Sequence, residues 1–454
     1  MTAADTIAAV ASPPGQGAIA LVRVSGDRAR ETVRGVFSGK LNEPRRQQFG
    51  HLVAADGATI DEVLVTWFQA PRSYTGEDVV EISCHGGLLV TRAVLDRLLE
   101  AGARPAEPGE FSQRAFLNGK MDLTQAEAVM DLISARTDLA RRAAHEQLAG
   151  RLGEALGALR EDLIGIVAHV EAYIDFPEED IDPDTGATML GRIDAAREAV
   201  ARLLATADQG RLLREGVRTV ICGAPNAGKS SLLNRLLGFD RAIVSETPGT
   251  TRDTIEEVID FHGLPLRLID TAGVRESADS LEREGIARTL AQLDNADLAI
   301  EVIDASLPGP DIPNRSGVEI ARHLPAGARH LRLLNKADLG LGAGRGGEAD
   351  DGLPFSCRTG EGMESLTAAI FRELGGPGAN WGADLVAINA RHKRCLARAA
   401  DDLERARESL AGGASPEFAA LDLRAALDAV GEVVGKADVE EILGEIFGRF
   451  CIGK

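Results

Sequence analysis

Between positions 223 and 230 the chain reads Gly223-Ala-Pro-Asn226-Ala227-Gly228-Lys229-Ser230, a short loop bracketed by glycines and closed by Lys and a hydroxyl. Glycines at this spacing let successive backbone N–H groups curl around anionic oxygens. A strand-like run, Val217 to Cys222, precedes the loop, and Ser231-Leu-Leu-Asn-Arg-Leu-Leu follows with helical character. A helix start adds partial positive charge, so the context is that of a phosphate cradle rather than a chance glycine turn. In such a cradle Lys229 reaches the β and γ phosphates of a nucleotide, and the Ser230 hydroxyl offers a ligand to Mg²⁺.

Three further segments lie downstream in a meaningful order. Asp270-Thr271-Ala272-Gly273 ends the apolar run Leu-Arg-Leu-Ile; its carboxylate suits a metal held through water, and the Gly273 N–H can sense a γ-phosphate. Asn335-Lys336-Ala337-Asp338 follows a second apolar run. A carboxylate there can accept two N–H donors from guanine, a pair that adenine cannot supply. Ser356-Cys357-Arg358 stands where a last base-contacting loop belongs, with Cys and Arg in place of the commoner small residue and Lys. Taken together the segments predict GTP rather than ATP.

These residues need elements to position them. Residues 1–118 alternate strand-like runs (18–26, 63–70, 78–87) with turns, and 90–102 reads as a helix ended by Gly102. Asp122-Leu-Thr-Gln125 has the form of a capping box opening a helix with Ala126, Val129, Met130 and Ile133 on one face. Leu152, Leu156, Leu159, Leu163, Ile166, Val167 and Val170 repeat at helical spacing, and a third helix is expected over about 189–207. From Val217 to about Gly375 strands and helices alternate, which favours a mostly parallel sheet covered on both faces. Glu301 interrupts one of these strands and is expected at a sheet edge or strand end. The glycine-rich stretch 340–352 reads as a surface loop, and helical periodicity returns at 384–411, 417–434 and 438–447. The fold class is therefore α/β plus all-α: an N-terminal α/β domain at 1–119, a helical domain split between 120–214 and 378–454, and a nucleotide-binding block inserted at 215–377.

Composition limits the function classes. The 454 residues carry 50 Lys plus Arg against 70 Asp plus Glu, a net charge of −20, so the chain is no broadly basic nucleic-acid coat. Hydrophobic residues at 44% and charged residues at 26% are globular values. Neither a long apolar run nor a signal-peptide pattern is present, and five scattered cysteines form no CxxC pair. The expectation is a cytoplasmic protein without membrane attachment, disulfide framework or zinc site.

The segment Ser245-Glu246-Thr247-Pro248-Gly249-Thr250-Thr251, with Arg-Asp after it, resembles the translation-factor-like branch of P-loop GTPases. The resemblance makes Thr251 a second Mg²⁺ ligand. It also makes Asn226, Ser245, Thr247 and Thr250 a K⁺ site, the cation serving where other GTPases use an arginine finger. On conformational grounds alone Asn226 is equally a turn residue suited to left-handed backbone. Val274 stands where many GTPases carry a water-positioning Gln, so some substitute is needed.

The whole chain, not only the nucleotide-binding block, resembles the MnmE (TrmE) family of tRNA-modification GTPases. The match runs through TIAAVASPPGQGAIALVRVSG, SYTGEDVVEISCHGG, PGEFSQRAFLNGKMDLTQAEAVMDLI, YIDFPEED, LLREG and the terminal FCIGK. It implies a homodimer whose N-terminal domain binds 5-formyl- or 5,10-methylene-tetrahydrofolate through Arg23, Glu81, Lys120 and Lys454. It also implies a flavin (FAD)-dependent partner protein, with which the family installs a carboxymethylaminomethyl-type group at C5 of the wobble uridine of certain tRNAs. Glu282 matches the family's catalytic glutamate, although by itself it reads as a solvated helix-start residue. Cys451 is either a nucleophile in the modification or an exposed, harmless thiol. Arg391, Lys393, Arg394 and Arg398 form a basic cluster that suits tRNA phosphates or ion pairs with nearby acids. The acidic run Asp175–Asp182 lacks Ca²⁺-loop spacing, and Cys84-His85 reads as a packed turn. A rival function, a GTP-regulated ribosome-assembly switch, calls for a basic RNA-binding domain that the sequence does not display.

Overall fold

The computed structural model describes residues 5–175, 185–238, 257–269, 291–308, 320–340, 342, 352–375, 381, 386–436, 440–448 and 450–453. They separate into two units: 1–130, 153–167 and 424–454 in the first; 131–152 and 168–423 in the second.

The first unit is built on β1 (Ile7–Val10), β2 (Ile19–Ser25), β3 (Gln47–Val53), β4 (Thr59–Phe68), β5 (Val79–His85) and β6 (Arg104–Pro105), in the order β3-β4-β5-β2-β1-β6. All neighbours are antiparallel except β1 and β6. Strict alternation decides what each face does. Val22, Val24, Leu52, Val63, Val65, Val80 and Ile82 point one way and bury against Val33 of α1 (Ala29–Arg34) and Val94 and Leu98 of α2 (Leu88–Glu100). The opposite face presents Ile19, Phe49 and Leu64, the last two paired across strands and all exposed. At the β1 end that face is covered by α3 (Glu110–Leu117), whose Phe111 packs with Ile7, Ala9 and Ala106.

The capping box opens α4 (Leu123–Ser134) reciprocally: Gln125 N–H donates to Asp122 Oδ1 and Asp122 N–H to Gln125 Oε1, both at 2.9 Å. Ala126 and Val129 are buried as expected, but Ile133 is half exposed, so the apolar face ends one turn early. After α5 (Asp138–Leu148), the long α6 (Arg151–Asp175) buries all seven of its expected apolar positions. In the first unit the C-terminal helix Glu440–Phe447 packs Leu443 and Phe447, with Phe450, on Leu123 and Ala126.

In the second unit α7 (Thr185–Leu204) pairs with the helix Ala390–Ala411, and Asp194 of the former meets Arg407 of the latter at 2.7 Å. Asn389 caps that second helix in a box with His392. Helix α8 (Ala207–Glu215) leads into β7 (Val217–Cys222), whose bounds are those read from the sequence. With α9 (Lys229–Leu236), β8 (Glu257–Phe261), β9 (Leu264–Leu268), β10 (Leu298–Asp304), β11 (Arg329–Asn335) and β12 (Leu353–Pro354) it forms a sheet of order β12-β11-β10-β7-β9-β8. Only β8 runs antiparallel. Leucines 232, 233 and 236 of α9 and Leu366, Ala369 and Ile370 of the helix Met363–Gly375 bury against one face, and Leu293 and Ile320 cover the other.

Glu301 corrects an expectation. It lies inside β10, between β7 and β11, opposite Cys222 and Arg332 and almost fully buried. His330 Nε2 at 3.1 Å and Arg332 Nε at 3.7 Å, both from β11, flank the carboxylate, and the guanidinium brings the countercharge that burial requires.

Candidate functional site

The loop after β7 takes a cradle shape because three residues adopt left-handed backbone: Gly223 at φ +136°, Asn226 at +60° and Gly228 at +108°. The two glycines are also forced by space. A Cβ on Gly223 would sit 2.2 Å from Val302 O, and one on Gly228 would sit 2.1 Å from Asn335 Nδ2. The loop ends on the first turn of α9, anchored by its buried leucines, so the helix N-terminus faces the cradle. Lys229 Nζ reaches back to Gly223 O at 3.0 Å and Ala224 O at 2.9 Å. Burial lowers its pKa from the usual lysine value, and removal from water is what a partner phosphate would compensate.

The segments expected to read the base converge on this loop through buried Asn335. Its Nδ2 donates to Ala227 O at 2.8 Å, and its Oδ1 accepts from Cys357 N–H at 3.0 Å. One side chain therefore fixes the phosphate loop and the Ser356–Arg358 loop to a common frame. Lys336, at φ +66°, is held by Asp304 at 2.5 Å. Asp338 Oδ1 accepts from Ser356 Oγ at 2.6 Å, while its Oδ2 accepts from Arg358 Nε at 2.9 Å and from a terminal guanidinium nitrogen at 2.5 Å. Those bonds keep the Asp338 carboxyl below the usual carboxylate range, so it stays an acceptor.

Two residues of this frame were not singled out in the sequence. Arg235, in the last turn of α9, donates to Cys357 O at 3.0 Å and Arg358 O at 3.4 Å. Asp304, at the end of β10, fixes Lys336. Neither belongs to a contiguous motif, and only the register of β10 against β11, which sets Asp304 opposite Asn335, brings the latter to the site.

A second constellation lies in the first unit. Arg23 and Glu81 are directly opposed on β2 and β5, and Glu81 Oε1 accepts from Arg23 Nε at 3.0 Å and a terminal nitrogen at 2.8 Å. The guanidinium lies over Tyr74 and Phe111, 5.1 and 5.7 Å from the ring centroids. Gly453 O accepts a further Arg23 bond at 3.4 Å. That glycine has φ +97°, and a Cβ on it would come within 2.5 Å of Val10 O. The tail is thus held by buried Phe450 and Gly453, with the Cys451 thiol exposed between them. Lys120 is more peripheral, its Nζ donating to Pro71 O at 3.0 Å.

Alignment with known proteins adds what geometry leaves open. Residues 123–451 match the family described as the MnmE helical domain, and residues 6–120 match the GTP-binding protein TrmE N-terminus. The tRNA modification GTPase MnmE of Akkermansia muciniphila is 53% identical over 458 residues, covering 99% of each chain. This chain belongs to the MnmE (TrmE) family. The proteins of the same name from Symbiobacterium thermophilum and Geobacter sulfurreducens are each 46% identical, again over 99% of both chains.

Several residues expected from the motifs and from the two resemblances fall outside the described residues: Ser245 to Thr251, Asp270 to Gly273, Glu282 and Lys454. Most of the acidic run and most of 340–352 do so too. Among the described residues no group of three His, Cys, Asp or Glu is arranged for a metal, and no helix is long and apolar enough to cross a membrane. Cys84-His85 corrects an expectation: both residues end strand β5 rather than forming a packed turn, with Cys84 buried and the exposed His85 bonded to Asp61 at 2.7 Å. In the basic cluster Lys393 is paired with Asp208 at 3.0 Å.

Proposed function

We propose that the chain couples GTP hydrolysis, the activity its family is named for, to modification of the wobble uridine of certain tRNAs. The observation that carries the nucleotide reading is the Asn335 frame, which fixes the phosphate cradle and the Asp338 loop to one another. In this reading Lys229 turns from the loop carbonyls to the β and γ phosphates. Ser230, on the first turn of α9 beside it, holds Mg²⁺ together with Thr251. Asn226, Ser245, Thr247 and Thr250 hold K⁺, and Glu282 orients the attacking water. The bound cations supply positive charge beside the transferring phosphoryl group.

The domain division proposed is an N-terminal folate-binding and dimerisation domain at 1–119, a helical domain at 120–214 and 378–454, and a nucleotide-binding domain at 215–377. Arg23, Glu81, Lys120 and Lys454 would hold 5-formyl- or 5,10-methylene-tetrahydrofolate. Arg23 supports this placement because its cation lies beside two aromatic rings, a setting for a flat heterocycle carrying carboxylates. The exposed face bearing Ile19, Phe49 and Leu64 supports a homodimer through the first domain. An FAD-dependent protein completes the system, and the exposed Cys451 thiol, two residues before the Gly453 carbonyl that meets Arg23, would act in the modification chemistry. The setting proposed is cytoplasmic.

Asp338→Asn tests the nucleotide reading. An amide presents a donor where guanine offers one, and should raise the GTP Kd by on the order of a hundredfold or more while admitting xanthosine triphosphate, whose 2-oxo group accepts. Equal GTP affinity in the variant, read by fluorescence titration, would remove Asp338 from base recognition.

A further inference from the structure

We propose that Arg358 is a specificity-determining residue that competes with the guanine base for Asp338. The inference rests on the guanine-nucleotide reading of this site and adds to it a sign and a selectivity. Guanine brings two N–H donors to the carboxylate, one from N1 and one from the 2-amino group, and needs an acceptor position on each oxygen. Among the described residues Oδ1 accepts a single bond, from Ser356 Oγ at 2.6 Å, and keeps room for one donor. Oδ2 accepts two, from Arg358 Nε at 2.9 Å and a terminal nitrogen at 2.5 Å. A base with one donor can be met by Oδ1 alone, whereas guanine must dislodge at least one arm of the guanidinium.

The two partners differ in mobility. Asp338 is packed beneath the loop, with its side chain 10% exposed, while the Arg358 side chain is 74% exposed. The arginine is therefore the partner that swings. Its backbone is held independently, since Arg358 O accepts from Arg235. The side chain can release Asp338 without unfastening the loop, and the cost of that release is subtracted from guanine affinity. A lysine, the commoner residue at this position, offers a point charge without the fork and would hold Oδ2 less firmly.

The test uses the full chain, with GDP and IDP as probes in Mg²⁺, titrated by calorimetry. Hypoxanthine lacks the 2-amino group and brings one donor. In Arg358→Ala, GDP should bind about two- to fivefold tighter, the scale of a screened ion pair, with IDP nearly unchanged, so that the GDP-to-IDP preference rises. Arg358→Lys should fall between the two. The advantage of the variant over wild type should shrink as KCl rises from low to molar concentration, because salt screens the pair it lacks. A loop merely loosened by the substitution would weaken GDP and IDP together, and that result overturns the proposal, as does unchanged GDP affinity. If wild-type protein binds neither nucleotide, the site reading itself fails, an outcome distinct from a wild type that binds GDP and a variant that binds it no better.

Discussion

A buried amide, Asn335, shows how far single residues carry this site. Its donor and acceptor are both used, one on the glycine loop at 223–228 and one on the Ser356–Arg358 loop, so neither loop moves without breaking a buried bond. Such residues were readable because backbone geometry imposes contiguous patterns: the glycines at 223 and 228 are fixed by positive φ and by lack of space. Their remote partners were not readable. Arg235, Asp304, Tyr74 and Phe111 arrive through register and packing that no local spacing records. The cysteines give a residue-scale prediction. Burial pushes the thiols of Cys84 and Cys357 up to about 11 and that of Cys222 up to about 12, so their thiolates form only as pH rises toward those values. Cys395 is buried as well. Iodoacetamide at about pH 8 should therefore label Cys451 first, with the other four reacting only after unfolding, as read by peptide mass spectrometry. Early labelling of Cys222 would contradict the packing of β7.

At the scale of elements, helices with a strong apolar repeat were the legible ones. All seven apolar positions expected in α6 are buried, and the strand Val217–Cys222 stands where its continuous apolar run placed it. The elements that escaped notice have weak patterns. β3 alternates poorly, and α5 buries only small or polar side chains behind a Thr137 cap. Glu301 was misplaced because a charge in an apolar strand reads as an edge until its partners on β11 are known. The phase of α6 is directly testable. Leu163 is fully buried and its neighbour Ile164 is 40% exposed. Leu163→Ala should cost about 2–5 kcal/mol and lower the melting temperature measurably. Ile164→Ala should stay within about 0.5 kcal/mol. Similar losses from both would mean that the helix is rotated from the orientation described.

For the whole molecule, the family resemblance and the physics of the motifs contribute different parts. Motif spacing alone leads to a guanine nucleotide and no further. The folate, the flavin-dependent partner and the tRNA come from the resemblance, because acidic composition and scattered surface charges do not announce them. The account stands or falls on a cation-assisted GTPase. Its most direct test is GTP turnover by the full chain in matched KCl and NaCl, with Asn226→Gly as the control. Glycine keeps the left-handed backbone that Asn226 adopts at φ +60° and removes only the amide. Turnover in K⁺ should exceed that in Na⁺ by on the order of tenfold or more, and the variant should lose the difference. Equal rates in the two salts, or a variant that keeps the full K⁺ response, would contradict the account.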